Sequence, residues 1–267
     1  MILPAPTPRE WLETHLTAWF AELGPARPEH RHVSLEEAVA LMPELHAIVA
    51  GEGTPPKAAA KYLAAWFGGL ATRTVGYAAL AADAGFVVDP AALRWRVHPE
   101  GWAEVIDLGD PVALVRDGHP WADLPGTEIA EDPLAPAAVA VAEAMRPLVE
   151  ALRPLSGLGL PGLWAEVGDG FGGPLAFQAR LEVTPARMDV LRRLAQTPGT
   201  PWKARSTLWA APSGNGTVCV QQKGGCCLAY TEPGGEYCSN CSLRDPESCE
   251  ADQVAWHDEQ QPEFTGH

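Results

Sequence analysis

The chain reads as an α+β protein: a mainly helical body with a small antiparallel sheet, followed by a short β-hairpin and a cysteine-rich loop. Three observations predict this. Apolar residues recur at helical spacing through most of residues 1–196. The period switches to two between residues 93 and 115. Four of the six cysteines crowd into residues 226–241, directly after two strand-like runs.

Taken in order, residues 9–23 place Trp11, Leu12, His15, Leu16, Trp19, Phe20 and Leu23 on helical spacing, and Gly24-Pro25 ends the run. Ser34-Leu35-Glu36-Glu37 is a capping box, with Leu35, Val39, Met42 and Leu45 following on one side. Residues 56–84 are the strongest periodic segment. Pro56 suits a first turn, Leu63, Trp66, Phe67, Leu70, Thr74 and Tyr77 trace one face, and Gly85 closes the helix. Gly68-Gly69 sits in its middle, where each glycine costs about 1 kcal/mol relative to alanine. The pair reads as close helix packing, or as room for a bulky ligand.

The small antiparallel sheet comes next. Leu93, Trp95 and Val97 alternate with Arg94 and Arg96, and residues 102–108 and 112–115 follow as strands about a Gly109-Asp110-Pro111 turn. Arg94 and Arg96 share a face, either simply solvated or suited to an oxygen-rich anion. Residues 117–132 read as loop. Asp132-Pro133 starts a helix through Val139, Val141 and Met145, which Pro147 bends or ends. Another helix starts at Pro161, although glycines at 168, 170, 172 and 173 are too many for a comfortable one. Thr184-Pro185 caps a last helix to about Gln196. The run 197–201 reads as a linker between a helical body (1–196), with the sheet and the substrate site, and a C-terminal metal-binding region (197–267). There, strands 207–211 and 217–221 flank the turn-rich Ser213-Gly214-Asn215-Gly216. Cys219 reads as a small buried apolar residue, Cys249 lies in an acidic segment, and residues 258–267 form a polar tail.

The composition narrows the function. Of 267 residues, 46% are hydrophobic and 20% charged, enough for a substantial core in one large domain or two ordinary ones. The net charge of −15 is spread along the chain. It excludes nucleic acid, whose phosphates need a basic surface, and anionic membranes. No segment reaches the roughly 20 apolar residues of a membrane span, so stable membrane insertion is not expected. The N-terminus lacks the basic stretch and apolar run of a signal peptide. The expected location is the cytoplasm, where thiols stay reduced.

Those thiols carry the chemistry. Cys226 and Cys227 are adjacent, ten residues intervene, and Cys238 and Cys241 form a Cys-x-x-Cys pair. Thiolates are soft ligands for zinc, copper(I) or iron–sulfur clusters. A tight turn lets Cys238 and Cys241 face one centre. Neighbouring side chains of a strand point to opposite faces, so Cys226 and Cys227 converge only where the backbone bends, and Gly224-Gly225 just ahead permits a bend. Structural zinc usually shows two Cys-x(2–4)-Cys knuckles, which an adjacent pair fits poorly. A disulfide staple does not suit a chain without export signals. The third reading is a four-thiolate cluster, making this a cysteine-rich iron–sulfur loop, though not with a common ferredoxin spacing.

With the framing Gly225-Cys226-Cys227-Leu228-Ala229-Tyr230 and Tyr237-Cys238-Ser239-Asn240-Cys241-Ser242-Leu243-Arg244, this pattern resembles the C-terminal signature of the FhuF-like ferric siderophore reductases. Ser242 stands where that family often has proline, and Leu163-Trp164 before a small-residue helix also resembles the family. The resemblance implies a 2Fe–2S cluster held by Cys226, Cys227, Cys238 and Cys241, with no catalytic residue beyond these ligands. It implies a cytoplasmic oxidoreductase that passes one electron to a ferric siderophore, of hydroxamate or another type, and releases Fe(II) for iron acquisition. No Gly-x-Gly-x-x-Gly or Walker loop is present, so electrons must come from a separate carrier such as a ferredoxin or a flavodoxin-type protein. A substrate pocket is expected between the helical body and the cysteine loop, with Trp66, Trp95, Trp164 and Trp209 as walls and Arg94 and Arg96 as anion contacts. Kinship to siderophore synthetases, which lack this cysteine set, would account for the helical body alone. Two rivals stay open: a non-enzymatic iron–sulfur sensor and a zinc-stapled interaction module. A sensor would need a partner- or DNA-reading element, and no basic helix is present. The eight histidines are scattered, with His30 and His32 two apart, and the thiols outvote them as metal ligands.

Overall fold

The computed structural model describes residues 6–20, 29–51, 53–177, 181–214 and 216–260, and its architecture is α+β. The first helix, α1 (Pro8–Phe20), buries Trp11 and Leu12, with the Trp11 ring edge-on to Trp121 at 5.8 Å. Its expected stop at Gly24-Pro25 lies outside the described residues. Strand β1 (Arg31–Ser34) runs straight into α2 (Leu35–Gly51), and the capping box closes at the junction. The Ser34 amide donates to Glu37 Oε2 at 2.7 Å, and the Glu37 amide donates to Ser34 Oγ at 3.2 Å.

Helices α3 (Pro56–Leu63) and α4 (Leu70–Ala82) form one rod, interrupted by a π-helical turn at Ala64–Gly69. Here α6 (Leu160–Asp169) crosses. A Cβ on Gly69 would sit 3.1 Å from the Glu166 carbonyl, and one on Gly68 would strike the Val167 side chain. Close helix packing is therefore the reason for this glycine pair. The rod ends at Asp83, in the left-handed region at φ 52°, and not at Gly85 as the sequence suggests. Gly85 instead opens strand β2 (Gly85–Val87), where a side chain would collide with the Pro133 carbonyl.

Two small sheets replace the single expected one. In the first, β3 (Arg94–Val97) lies between β1 and β4 (Ala103–Asp107), antiparallel to both. In the second, β5 (Val112–Val115) pairs antiparallel with β2 and parallel with β6 (Thr127–Ile129). The expected hairpin about Gly109-Asp110-Pro111 does not form. Gly109, at φ 67° and tight against Ala92, turns the chain from one sheet to the other. Strand β6 falls inside the stretch read as loop, because its three largely exposed residues show no alternation.

Helix α5 (Leu134–Ser156) passes through both Pro147 and Pro154 to a left-handed Gly157. An internal proline costs a helix about 3 kcal/mol. Burial of Met145, Leu148, Val149 and Leu152, against neighbours that include α2 and α3, exceeds that. The glycine-rich run also stays helical: α6 continues through a 3-10 turn (Gly170–Gly172) into α7 (Gly173–Ala176). Gly168 faces the Trp202 ring and Gly170 faces the Gly69 carbonyl, so lost propensity is offset by close approach. Thr184 Oγ1 accepts the Arg187 amide to cap α8 (Pro185–Ala195).

Strands β7 (Thr207–Ser213) and β8 (Gly216–Gln222) form the expected hairpin. Helix α9 (Pro246–Gln260), which the acidic composition of its segment conceals, covers one face of it and buries Cys249, Gln253 and His257. One continuous core runs from Trp11 through Trp202 to Cys219. A smaller cluster of Ala211, Val218 and Val220 packs with Trp209 and Val254. Among the described residues, no helix is long and apolar enough to cross a membrane.

Candidate metal centre

After β8 the chain turns into the cysteine loop across Lys223, Gly224 and Gly225. The glycines are there for proximity. A side chain on Gly224 would overlap the backbone of Ala204 and Arg205, and one on Gly225 would meet Ala165 Cβ. The chain bends at this pair, as the sequence predicts, and turns again beyond the adjacent cysteines at Leu228, which holds φ 68°. A non-glycine residue there is strained, and such strain persists where the surroundings over-determine it.

The bend brings the four thiols together as two pairs. Cys227 Sγ lies 3.8 Å from Cys238 Sγ. Cys226 and Cys241 interact through their sulfurs, and each accepts a backbone amide at 3.4 Å, from Leu228 and Leu243 respectively. The Cys-x-x-Cys turn is closed by the Cys241 amide donating to the Cys238 carbonyl at 3.0 Å. Among the described residues, no three sulfurs lie within 4.8 Å of one another. The Cys227 thiol is pulled down to about 6 by its sulfur contact with Cys238 and, against burial, by the Lys223 ammonium. The same contact pushes Cys238 up. Burial raises Cys226.

Beneath the loop lies a charge network that sequence reading missed. Glu166, with no side-chain exposure, accepts Lys61 Nζ at 3.1 Å and pairs with Lys223 through its other oxygen. Asp169 accepts the Gly224 and Gly225 amides at 2.8 and 3.0 Å and the Ser206 hydroxyl at 2.7 Å. Burial holds its carboxyl up at about 6. Glu166 and Asp169 outweigh burial at Lys223 and raise it. Gln253 of α9 clamps the far side, donating to the Gln221 and Ser239 carbonyls at 2.9 and 3.2 Å. Cys249 donates to the Cys241 carbonyl at 3.6 Å and so supports a thiol of the centre without joining it. Tyr230, Tyr237 and Leu243 form an exposed collar, with the two tyrosine rings 5.0 Å apart.

The residues expected around a substrate are dispersed. Trp66, half-buried, lies tilted against Tyr62 at 5.5 Å, and the Tyr62 phenol bonds Glu232 of the cysteine loop. Trp95 is wholly buried and donates to the Phe67 carbonyl, and Trp164 packs inside against Trp202 at 6.2 Å. Neither indole reaches a surface pocket. Trp209 donates to Glu250 at 2.6 Å on the hairpin's α9 side. Arg94 bonds the Ala91 and Leu93 carbonyls, while Arg96 pairs with Glu104 at 2.9 Å.

The only sequence signal for the buried network is a polar residue where the pattern calls for an apolar one. Lys61 sits in an alanine-rich helix, and Glu166 and Asp169 sit in a helix of small and apolar residues. Fold and site together define an α+β protein with a paired four-thiol centre built on a buried charge network. No protein-family model matches the sequence, and a search of curated proteins finds no match.

Proposed function

We propose that the chain is a cytoplasmic ferric siderophore reductase, with a 2Fe–2S cluster held by Cys226, Cys227, Cys238 and Cys241. The observation that carries this reading is the two-by-two arrangement of the sulfurs. Two irons with two thiolates each need two close pairs. One zinc, at about 2.3 Å from each sulfur, needs all four in mutual contact. The resemblance to the FhuF-like family adds the substrate class.

When bound, such a cluster supplies a single electron, which converts the siderophore's Fe(III) to Fe(II). Siderophore oxygens are hard ligands, so the softer, less charged ferrous ion is held more weakly and leaves. The chain's own groups set the conditions. The Leu228 and Leu243 amides stabilise negative charge on Cys226 and Cys241. Lys223 does the same at Cys227, with Glu166 holding the ammonium in place. The exposed collar of Tyr230, Tyr237 and Leu243 gives an electron carrier of the ferredoxin or flavodoxin type a surface beside the thiols. No side chain needs to move a proton.

The test starts from protein prepared without oxygen. Red-brown material with equimolar iron and inorganic sulfide is expected. Serine at any of the four cysteines should abolish the colour, while Cys219→Ala and Cys249→Ala should retain it. Dithionite-reduced protein mixed with ferric siderophores in stopped flow should then reoxidise in a siderophore-dependent way. Zinc without sulfide removes the whole reading. Sulfide with no siderophore-dependent reoxidation removes the reductase and leaves the cluster.

A further inference from the structure

A second group of metal-ligating side chains lies at one end of the first sheet. His30 immediately precedes β1, His98 immediately follows β3, and Glu104 lies near the start of β4. One ligand atom from each falls within 4.8 Å of the other two, and all three residues are partly buried. His30 Nδ1 is 3.8 Å from Glu104 Oε2, and the two imidazole rings are 5.5 Å apart. Only 4% of the His30 side chain and 12% of the Glu104 side chain are exposed, so water does not screen them freely.

The backbone is shaped to make this group. Arg96 pairs with Val105 and Val97 with Ala103, so Glu104 is the extra residue of a β-bulge. Bulges re-aim a side chain and recur beside functional sites. The His98 ring is fixed by stacking on Trp102 at 3.9 Å with an interplanar angle of 7°. Its Nδ1 accepts the Glu100 amide at 3.2 Å, which also holds the ring's orientation. Glu104 has its own outer partner, with Arg96 Nε donating to Oε2 at 2.9 Å.

We propose that His30, His98 and Glu104 form a second metal site, which takes a divalent first-row ion through two imidazole nitrogens and one carboxylate oxygen. Two histidines and one carboxylate, with positions left open, suit ferrous iron. The Arg96 cation beside the carboxylate weakens attraction for a divalent ion, which makes this an exchangeable site and not a permanent one. The site is also joined to the thiol end by ring contacts. His98 stacks on Trp102, Trp102 meets Trp66 at 6.3 Å, and Trp66 meets Tyr62 at 5.5 Å beside the cysteine loop. Binding of a divalent ion stands on this geometry alone. The assignment of released Fe(II) as the natural ion rests on the reductase reading.

Cobalt(II) is the probe, added to the full chain with its thiol centre loaded. One further equivalent should bind without sulfur-to-cobalt charge-transfer bands. The proton spectrum of that wild-type complex should show two exchangeable, strongly shifted imidazole N–H resonances. His30→Ala and Glu104→Gln, each checked for native circular dichroism, should weaken binding at least ~100-fold, because loss of an outer partner alone costs 10–100-fold. Fe(II) should displace the cobalt only when in excess, because it binds such ligands more weakly. Three results would each overturn the site: no cobalt outside the thiols, a bound cobalt without shifted imidazole signals, or variants that bind like the wild type. Failure of Fe(II) to compete overturns the ferrous assignment. Failure of the cluster itself is read separately, by sulfide content, and cobalt on vacant thiols reveals itself through charge transfer.

Discussion

Glu166 has two ammonium groups as neighbours and no side-chain exposure, so its removal is expected to be severe. Glu166→Gln leaves Lys61 with no full countercharge and Lys223 with Asp169 alone, and a destabilisation of about 3–5 kcal/mol should appear in urea denaturation. Adding Lys61→Met to the same chain should recover part of the loss, because a buried ion pair replaced by apolar groups is close to neutral. The cysteines of the centre were legible in the sequence because four thiols within residues 226–241 are a local pattern. Their foundation was not. Lys61 and Glu166 are 105 positions apart, and His30, His98 and Glu104 meet only once three strands have paired. The bend at Gly224-Gly225 was legible too, while the left-handed Leu228 beyond the cysteines was not, because a left-handed leucine carries no signature of its own.

Elements were legible where they signal their own ends. The Ser34–Glu37 box predicted the start of α2, and Thr184 the start of α8. The box also predicts a pH effect. Hydrogen bonds from the Ser34 amide and hydroxyl hold the Glu37 carboxyl below its ordinary 4.5. A lowered carboxyl contributes stability that is complete above the unfolded value and lost as pH falls through the folded one. Protection of the first-turn amides of α2, taken relative to their intrinsic exchange rates, should therefore fall below about pH 4.5, and Glu37→Gln should flatten that response. The glycine-rich run misled because propensity counts what glycine loses and not what it lets approach. Gly170→Ala would set a methyl against the Gly69 carbonyl and Thr72 Oγ1. A loss of about 1–3 kcal/mol is expected in thermal unfolding, despite alanine's better helix propensity. The Gly109-Asp110-Pro111 turn was real but the pairing was wrong, since turn residues mark a change of direction without naming the partner strand.

At the scale of the whole molecule, one core links the helices to the hairpin that feeds the thiols. Trp202, 1% exposed, packs against Trp164 and Phe171 while its indole donates to the Ala195 carbonyl at 3.0 Å. Trp202→Ala should lower stability by about 3–5 kcal/mol. It should also reduce sulfide content after anaerobic purification, because Gly168 and the α6 face under the cysteine loop lean on that ring. The π-helical turn at Ala64–Gly69 has a further consequence. It inserts one residue into a rod whose Lys61 and Tyr62 serve the thiol end and whose Thr72 bonds the Val167 carbonyl. Deleting a residue there should restore regular winding with both flanks in phase, because the wide turn absorbs the extra residue. Lys61 would still meet Glu166 and Tyr62 would still meet Glu232, whereas regular winding with the residue kept would turn them about 100° away. The wide turn is what lets a rod with one residue too many keep both of its ends aimed.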